Sequence, residues 1–230
     1  MSTEQTAEPH NPVAADIEVA GLSARFRLGR ERIRLSYADF SVGAGEQAVI
    51  TGPSGSGKST LLHLLAGLIP AASGTIRVGA HQLDRMGERA RDAYRARNIG
   101  YLFQDFHLQP DFTAAENIVL GLGLAGVAAA ERRGRALQVL ERVDLKRHAH
   151  RPVRRMSTGE RQRVALARSV AHRPGLLLAD EPTAHLDRTR ADQAMELLRE
   201  TAAGLGISLL VATHDPAVMD TFDKRIEVGA

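Results

Sequence analysis

The sequence predicts an α/β fold with three parts: a largely parallel sheet flanked by helices, an antiparallel β layer at its start, and an inserted helical lobe. The β layer is indicated by segments 16–28 and 32–42, where polar and apolar residues alternate with a period of two. The parallel sheet is indicated by short apolar runs separated by helical segments: QAVIT, GTIRVG, IGYLF, LLLAD and ISLLVAT. The lobe is indicated by residues from about 105 to 155, which contain helical patterns and no strand candidate.

The predicted helices follow these runs in order, at 58–67, about 87–97, about 113–143 in two pieces, 157–172 and 189–204. At 230 residues, the chain is expected to form one domain, 1–230, with about 105–155 as the helical subdomain. Residues 1–14 are polar and are expected to form a flexible tail.

Composition excludes several functional classes. The chain has no cysteine, so it has neither a disulfide framework nor a thiolate metal site, and a reducing compartment is the default expectation. Its longest apolar stretches are shorter than the roughly 18 residues that indicate a membrane-spanning helix. The net charge is only +3. No nucleic acid partner is expected, although the arginine clusters ERRGR and RPVRR are compatible with one.

A glycine-rich loop lies between the strand QAVIT and the first predicted helix. Its sequence GPSGSGKST matches the G-x-x-x-x-G-K-[ST] pattern, in which backbone N–H groups surround a polyphosphate and the lysine pairs with the terminal oxygens. The helix N-terminus behind such a loop favours the same anion. We therefore predict that a nucleoside triphosphate is held by Gly52, Pro53, Ser54, Gly55, Ser56, Gly57, Lys58, Ser59 and Thr60.

Two acids end the apolar strand LLLAD. Asp180 lies at the carboxyl end of this strand, where it can hold Mg²⁺ together with the Ser59 hydroxyl. Glu181 comes next and is placed to act as the general base towards an attacking water. Solvated acids at a strand end are common, and the phosphate loop is what favours the functional interpretation.

Polar residues also follow two other predicted strands. His214 comes after ISLLVAT, at the edge of the sheet where ligands gather in open α/β folds, and is predicted to contact the terminal phosphate or the water. Gln104 comes after IGYLF and can reach Mg²⁺ or the water with its amide, or be an ordinary polar cap. His148 and His150 are close in sequence but lack an evident third ligand, so we interpret them as solvated loop residues.

A second anion-binding helix start is indicated at MSTGERQRVALARS, where Ser157 and the Gly159 backbone precede apolar helical positions. This stretch resembles the signature of ABC transporter ATP-binding subunits. The phosphate loop, Gln104, the signature, LLLADEP, TAHLD and His214 occur in that family's order over about 165 residues. The resemblance implies a P-loop NTPase fold, ATP and Mg²⁺ as cofactors, and a head-to-tail dimer in which Ser157 and Gly159 of one copy close on the ATP of the other.

The same resemblance implies further roles. Phe26 would stack on adenine, where the family usually has tyrosine, and Tyr37 competes for that role. Asp187 in TAHLD would bridge the subunit interface. Membrane permease subunits would dock near residues 104–125, which would place the chain in the cytoplasm, peripheral on the cytoplasmic face of the inner or plasma membrane.

Within the family, FQDFHLQPDFTAAENI and HRPVRRMSTGERQRVALARS look most like the lipoprotein-releasing and macrolide-export ATPases. Thr158 replaces the first signature glycine, and Ala184-His185 replaces the usual pair. An export or extraction ATPase is the leading hypothesis. The alternatives are an ABC ATPase acting on soluble partners and a regulatory scaffold of the cell-division type. The intact Asp180, Glu181 and His214 argue against a scaffold with a dead site, and the transported substrate is left open.

Overall fold

The computed structural model describes residues 13–29, 31–184 and 186–229. Most of the tail predicted at 1–14 lies outside these residues, as does His185. The elements run in the order β1 (Ile17–Leu28), β2 (Glu31–Ser36), β3 (Phe40–Val42), β4 (Gln47–Thr51), α1 (Lys58–Leu65), β5 (Ser73–Val78), β6 (His81–Gln82), α2 (Glu88–Asn98), β7 (Ile99–Leu102), α3 (Ala114–Leu124), α4 (Ala129–Arg142), α5 (Thr158–Val170), β8 (Leu176–Asp180), α6 (Arg188–Leu205), β9 (Ser208–Ala212), α7 (Pro216–Met219) and β10 (Lys224–Glu227).

The predicted antiparallel layer is present and is larger than expected. β1 pairs with β2, β3 and β5, and β5 pairs with β6, all antiparallel. The run GTIRVG, expected to behave like the strands of the parallel sheet, forms β5 of this layer instead, so that part of the prediction was wrong. Its buried residues Ile76 and Val78 face Val19 and Ile17 of β1 across the pair.

The second sheet is parallel throughout, with the strand order β10-β4-β9-β8-β7. Every residue of β8 and β9 is buried, as expected for strands covered on both faces. The edge strand β10 was not predicted, because its sequence KRIE is mostly charged and only Ile226 is buried. The α/β fold class is confirmed.

The helical lobe consists of α3 and α4, which pack against each other and against α5. Ile118, Leu122 and Leu140 bring apolar side chains to this contact, and Val164 adds one from α5. Thr113 begins α3 with a capping box, in which its hydroxyl accepts from the Glu116 N–H and the Glu116 carboxylate accepts from the Thr113 N–H. The lobe thus shares its core with the helix that starts at the signature stretch.

No helix in the described part of the chain combines the length and the apolar character needed to cross a bilayer.

Candidate active site

The parallel sheet brings the separate motifs to one edge. β4 leads into the glycine-rich loop, β8 ends at Asp180, and β9 is followed by Thr213 and His214. Since β4, β9 and β8 are neighbours and parallel, their carboxyl ends open on the same side, where open α/β sheets bind ligands. The fold therefore places the loop, the two acids and the histidine together.

The loop owes its shape to glycines that other residues could not replace. Gly57 has φ 99° and caps α1, and a Cβ there would lie 2.8 Å from Leu35 Cδ1. Gly52 has φ 151°, and its Cβ would lie 2.3 Å from the Val228 carbonyl oxygen. Such backbone is accessible to glycine without steric cost, so these glycines allow the loop to take its tight course ahead of α1.

Lys58 is held inside the loop. Its ammonium group donates to the carbonyl oxygens of Gly52 at 2.9 Å and Pro53 at 3.1 Å, and lies 4.0 Å from Glu181 Oε1. The residue is only 6% exposed. The ammonium group therefore lies between the loop backbone and Glu181.

Ser59 and Asp180 form a pair of oxygen donors suited to Mg²⁺. The Ser59 hydroxyl donates to Asp180 Oδ1 at 2.9 Å, and Asp180 is 8% exposed. Burial raises the pKa of Asp180, and the hydrogen bond from Ser59 partly offsets this rise. A buried carboxylate beside a hydroxyl fits a hard divalent cation, which prefers oxygen ligands and completes its shell with water and phosphate.

Glu181 has a strained backbone and a fully engaged carboxylate. Its φ of 43° lies in the left-handed region, which is disfavoured for a non-glycine residue and is often found at functional sites. Oε2 accepts from the Thr213 hydroxyl at 3.1 Å, and Oε1 lies 2.7 Å from His214 Nδ1. His214 therefore contacts the candidate base directly, an arrangement that sequence reasoning did not predict.

A cavity of about 670 Å³ lies over these residues. It is lined by residues of β1 and β2, of the phosphate loop and α1, and of the segments that follow the parallel strands: Phe26, Arg27, Ile33, Leu35, Ser54, Gly55, Gly57, Lys58, Ser59, Thr60, Gln104, Glu181, Ala184 and His214. Gln104 is exposed at its rim. Phe26 lines the cavity, whereas Tyr37 is buried and donates to the Gly57 carbonyl at 3.1 Å. Burial raises the pKa of Tyr37 to about 12. This geometry favours Phe26 for stacking on a base.

The signature residues lie apart from that cavity. Ser157 caps α5 in a capping box with Glu160, and Ser157 and Gly159 line a different depression beside α6. A Cβ on Gly159 would meet nothing within 4 Å, so the backbone there is open to a partner. One copy of the chain does not bring Ser157 to its own phosphate loop, as the two-copy interpretation requires.

Two further predicted residues have defined surroundings. Asp187 caps α6, accepts from the Arg190 N–H at 3.1 Å, and is exposed. His148 lies 4.0 Å from Glu160 Oε1, and no group of three potential metal ligands is found among the described residues. His150 is exposed as expected, but His148 is half-buried and ends a 3-10 turn, Lys146–His148, so its interpretation as a solvated loop residue was wrong.

Sequence reasoning missed the links between motifs. The buried Gln162 of α5 donates to the Pro182 carbonyl at 2.7 Å, joining the signature helix to the segment after Glu181. Thr213, directly after β9, donates its hydroxyl to the Glu181 carboxylate. The apolar strand before Thr213 was recognised, but a threonine at a strand end carries no signal of its own.

Comparisons with known proteins identify the family that the motifs indicate. A family profile described as ABC transporter matches residues 35–184. The lipoprotein-releasing system ATP-binding protein LolD of Legionella pneumophila (strain Paris) is 41% identical over 198 residues, covering 85% of this chain and 87% of that protein. LolD 1 of Caulobacter vibrioides is 40% identical over 215 residues, with coverages of 93% and 92%.

Solved structures of ATP-binding cassettes are also similar to this chain. The dimeric post-hydrolysis state of the ATP-binding cassette MJ0796 bound to ADP and Pi is similar at a TM-score of 0.82 and 32% identity, covering 92% of this chain and 94% of that one. The resemblance drawn from the motifs, with the fold it implies, is thereby confirmed.

Proposed function

This chain belongs to the ABC transporter family and is an ATPase, and from that premise we propose that it drives the release of lipoproteins from a membrane through a separate membrane subunit. The observation that supports ATP turnover is the meeting of Lys58, Ser59, Asp180 and Glu181 at one edge of the parallel sheet. The lipoprotein substrate is supported by the LolD relatives, which match along most of the chain.

Nucleotide binding starts at the loop. The γ-phosphate oxygens of ATP would take over the Lys58 ammonium group from the Gly52 and Pro53 carbonyls. The loop N–H groups and the positive end of α1 would hold the remaining phosphate charge. Phe26 at the cavity wall would stack on adenine.

Mg²⁺ would be held by the Ser59 hydroxyl and the Asp180 carboxylate, with Gln104 as a third oxygen donor from the cavity rim. When bound, it would neutralise charge on the β- and γ-phosphates. The hydroxyl proton that now joins Ser59 to Asp180 would turn away, which leaves both oxygens free as ligands.

Glu181 would accept the proton of the attacking water. The water oxygen bonds to the γ-phosphorus as the bond to the β-phosphate oxygen breaks, and the proton passes to the Glu181 carboxylate. The hydrogen bond from Thr213 to Oε2 and the contact of His214 with Oε1 restrict the carboxylate to one orientation. His214 is exposed on the cavity side and can also contact the terminal phosphate.

A second copy of the chain would complete the site. Ser157 and the Gly159 backbone are open to a partner, and the start of α5 suits an anion. In a head-to-tail pair each signature helix would close on the ATP of the other copy. Asp187 lies exposed at the start of α6, where it would meet the partner.

The membrane subunit would dock on the α3 side of the lobe, within 104–125. Phe112, Leu120 and Leu124 are 43%, 44% and 75% exposed, and they line a groove of about 420 Å³ with Arg132. An exposed apolar groove rimmed by polar residues fits an amphipathic segment of a partner. This contact would hold the chain at the cytoplasmic face of the membrane.

The test is reconstitution. The chain is co-purified with the membrane subunit, placed in lipid vesicles that carry a lipid-anchored protein, and supplied with ATP. We expect ATP-dependent transfer of the anchored protein to the soluble fraction, and none with Glu181→Gln. ATP-driven movement of a soluble compound across the vesicle membrane, with the lipoprotein left in place, would contradict the proposed substrate class.

A further inference from the structure

A half-buried cation lies outside the residues assigned above. Arg168, on α5, donates from Nη1 to the His107 carbonyl at 2.6 Å and from Nη2 to the Phe106 carbonyl at 2.7 Å. No carboxylate of the described residues lies within ion-pair distance of it. Arginine stays charged at neutral pH even though burial lowers the pKa of Arg168. The two backbone carbonyls are therefore the groups that compensate its charge.

Those carbonyls belong to a loop with an unusual backbone. Phe106 has φ 60° and His107 has φ 45°, both in the left-handed region. Consecutive non-glycine residues of this kind persist only where surrounding contacts over-determine them. The loop begins two residues earlier at Gln104, which reaches the rim of the nucleotide cavity. Gln104 thus leads directly into the turn whose carbonyl groups accept from Arg168.

The stem of Arg168 also contacts the helical lobe. A Cβ on Gly121 of α3 would lie 3.1 Å from Arg168 Cγ, so the arginine passes closely over α3 at a residue without a side chain. Leu120 and Leu124 of the same helix line the exposed apolar groove. From its place on α5, Arg168 consequently contacts both α3 and the loop that begins at Gln104.

We propose that Arg168 is a positioning residue for ATP hydrolysis. Its guanidinium group joins the Phe106 and His107 carbonyls to α5, and its stem packs against α3. These contacts fix Gln104 over the nucleotide. A shift of α3 or α5 would then move Gln104 without any contact between these helices and ATP. This inference rests on the ATP turnover and on the Gln104 role proposed above, and it does not depend on which substrate is released.

The first test reads the loop directly. Hydrogen exchange of the Phe106 and His107 amides is measured by mass spectrometry in the full chain without nucleotide. We expect faster exchange in Arg168→Ala, which removes the fork, and in Gly121→Ala, which displaces its stem. Gly134→Ala on α4 is the matched control, because it makes the same substitution within a helix of the lobe but its Cβ meets nothing within 4 Å. Exchange in β8 and β9 should be unchanged in all three.

The second test separates binding from turnover. Arg168→Ala should lower kcat by about ten-fold or more, since small misplacements of positioning groups have effects of this size. It should change ATP affinity by less than about two-fold, and raise the Mg²⁺ concentration needed for half-maximal rate. The kcat of Arg168→Lys should lie between those of the wild type and Arg168→Ala, because an ammonium group does not form the contact with two carbonyls that a guanidinium group forms.

Wild-type exchange at Phe106 and His107 in Arg168→Ala would overturn the proposal, as would wild-type kcat and Mg²⁺ dependence. Exchange that rises equally in β8 and β9 would show a general structural role instead. If Arg168→Ala does not fold, the test is the exchange of the Phe106 and His107 amides in Gly121→Ala compared with Gly134→Ala. A chain that hydrolyses ATP normally but releases no lipoprotein would contradict the proposed function and leave this inference standing.

Discussion

Replacing Glu181 with glutamine should stop ATP hydrolysis and tighten ATP binding. The substitution keeps the shape of the side chain and removes its charge. In the structure Glu181 Oε1 lies 4.0 Å from the Lys58 ammonium group and 2.7 Å from His214 Nδ1. The carboxylate therefore competes with the γ-phosphate for Lys58, and it would face the negative phosphate once ATP is bound.

The size of the effect follows from these contacts. Two unit charges at 4 Å interact by about 4 kcal/mol at an effective dielectric of 20, and the two side chains are only 6% and 13% exposed, so solvent screens them weakly. If Glu181→Gln makes a quarter to a half of this Lys58–Glu181 energy available for the contact of Lys58 with the γ-phosphate, the free energy of ATP binding improves by about 1 to 2 kcal/mol. This corresponds to an affinity about five-fold to thirty-fold higher. Loss of the base should lower kcat by about 10² to 10⁴.

The assay combines three measurements on the full chain. Equilibrium binding gives the ATP affinity, single-turnover release of phosphate gives the chemical step, and gel filtration gives the oligomeric state. With ATP retained, Glu181→Gln should elute as a dimer, because ligand shared between two copies stabilises the pair by mass action. Added Ser157→Arg, or ADP in place of ATP, should return it to monomer. Glu196→Gln is the control, since Glu196 is exposed on α6 and lines a different groove.

Wild-type hydrolysis by Glu181→Gln would refute the role of Glu181 as the base. Unchanged or weaker ATP binding would refute the competition with Lys58. A protein that stays monomeric at saturating ATP would refute the shared site, even if hydrolysis is lost.

Two further variants test the metal site and the signature. Asp180→Asn should raise the thermal midpoint of the nucleotide-free protein by about 2–4 °C per kcal/mol gained, because burial raises the pKa of Asp180 and so disfavours its charged form. The gain in thermal midpoint should be full at a pH above the raised pKa of Asp180 and should vanish as the pH falls through that pKa. Mg²⁺-dependent hydrolysis should be lost at every pH. A lower midpoint at neutral pH would contradict the reasoning. Thr158→Gly, which removes a hydroxyl that accepts from Arg161 at 3.1 Å, should raise the rate or lower the ATP concentration for half-maximal rate if this side chain hinders closure, and unchanged kinetics would make the departure neutral.

Local motifs were the part of the site that sequence could predict. The loop 52–60, Asp180 with Glu181, and His214 are each short patterns at the end of an apolar run, and parallel strands bring such ends together. The pairing of Ser59 with Asp180 could be predicted as well, but the contacts that hold the surrounding elements together could not. Gln162 reaches Pro182 across 20 residues, and Arg168 reaches Phe106 across 62. Nothing in the spacing of these residues signals that they meet.

The fold shows the same division. GTIRVG and QAVIT are similar apolar runs, but the first lies in the antiparallel layer and the second in the parallel sheet. The apolar pattern predicts which residues are buried, but it does not predict which neighbouring strand they pair with. Strand β10 was missed for the opposite reason. Its ladder with β4 is made by backbone groups, while its side chains are mostly charged and exposed.

Lys58 donates hydrogen bonds to the backbone of its own loop, and these bonds affect the enthalpy and entropy of ATP binding. A free lysine side chain loses about 2 kcal/mol of rotamer entropy when it is immobilised, and Lys58 is already immobilised by the Gly52 and Pro53 carbonyls. That ordering cost is therefore met during folding and does not recur at each catalytic cycle. The ammonium exchanges two carbonyl partners for phosphate oxygens, so the enthalpy gained from this residue is a difference between two sets of bonds. Calorimetry of ATP binding should accordingly show a smaller heat from Lys58 than its charge alone suggests, and a smaller entropic penalty with it.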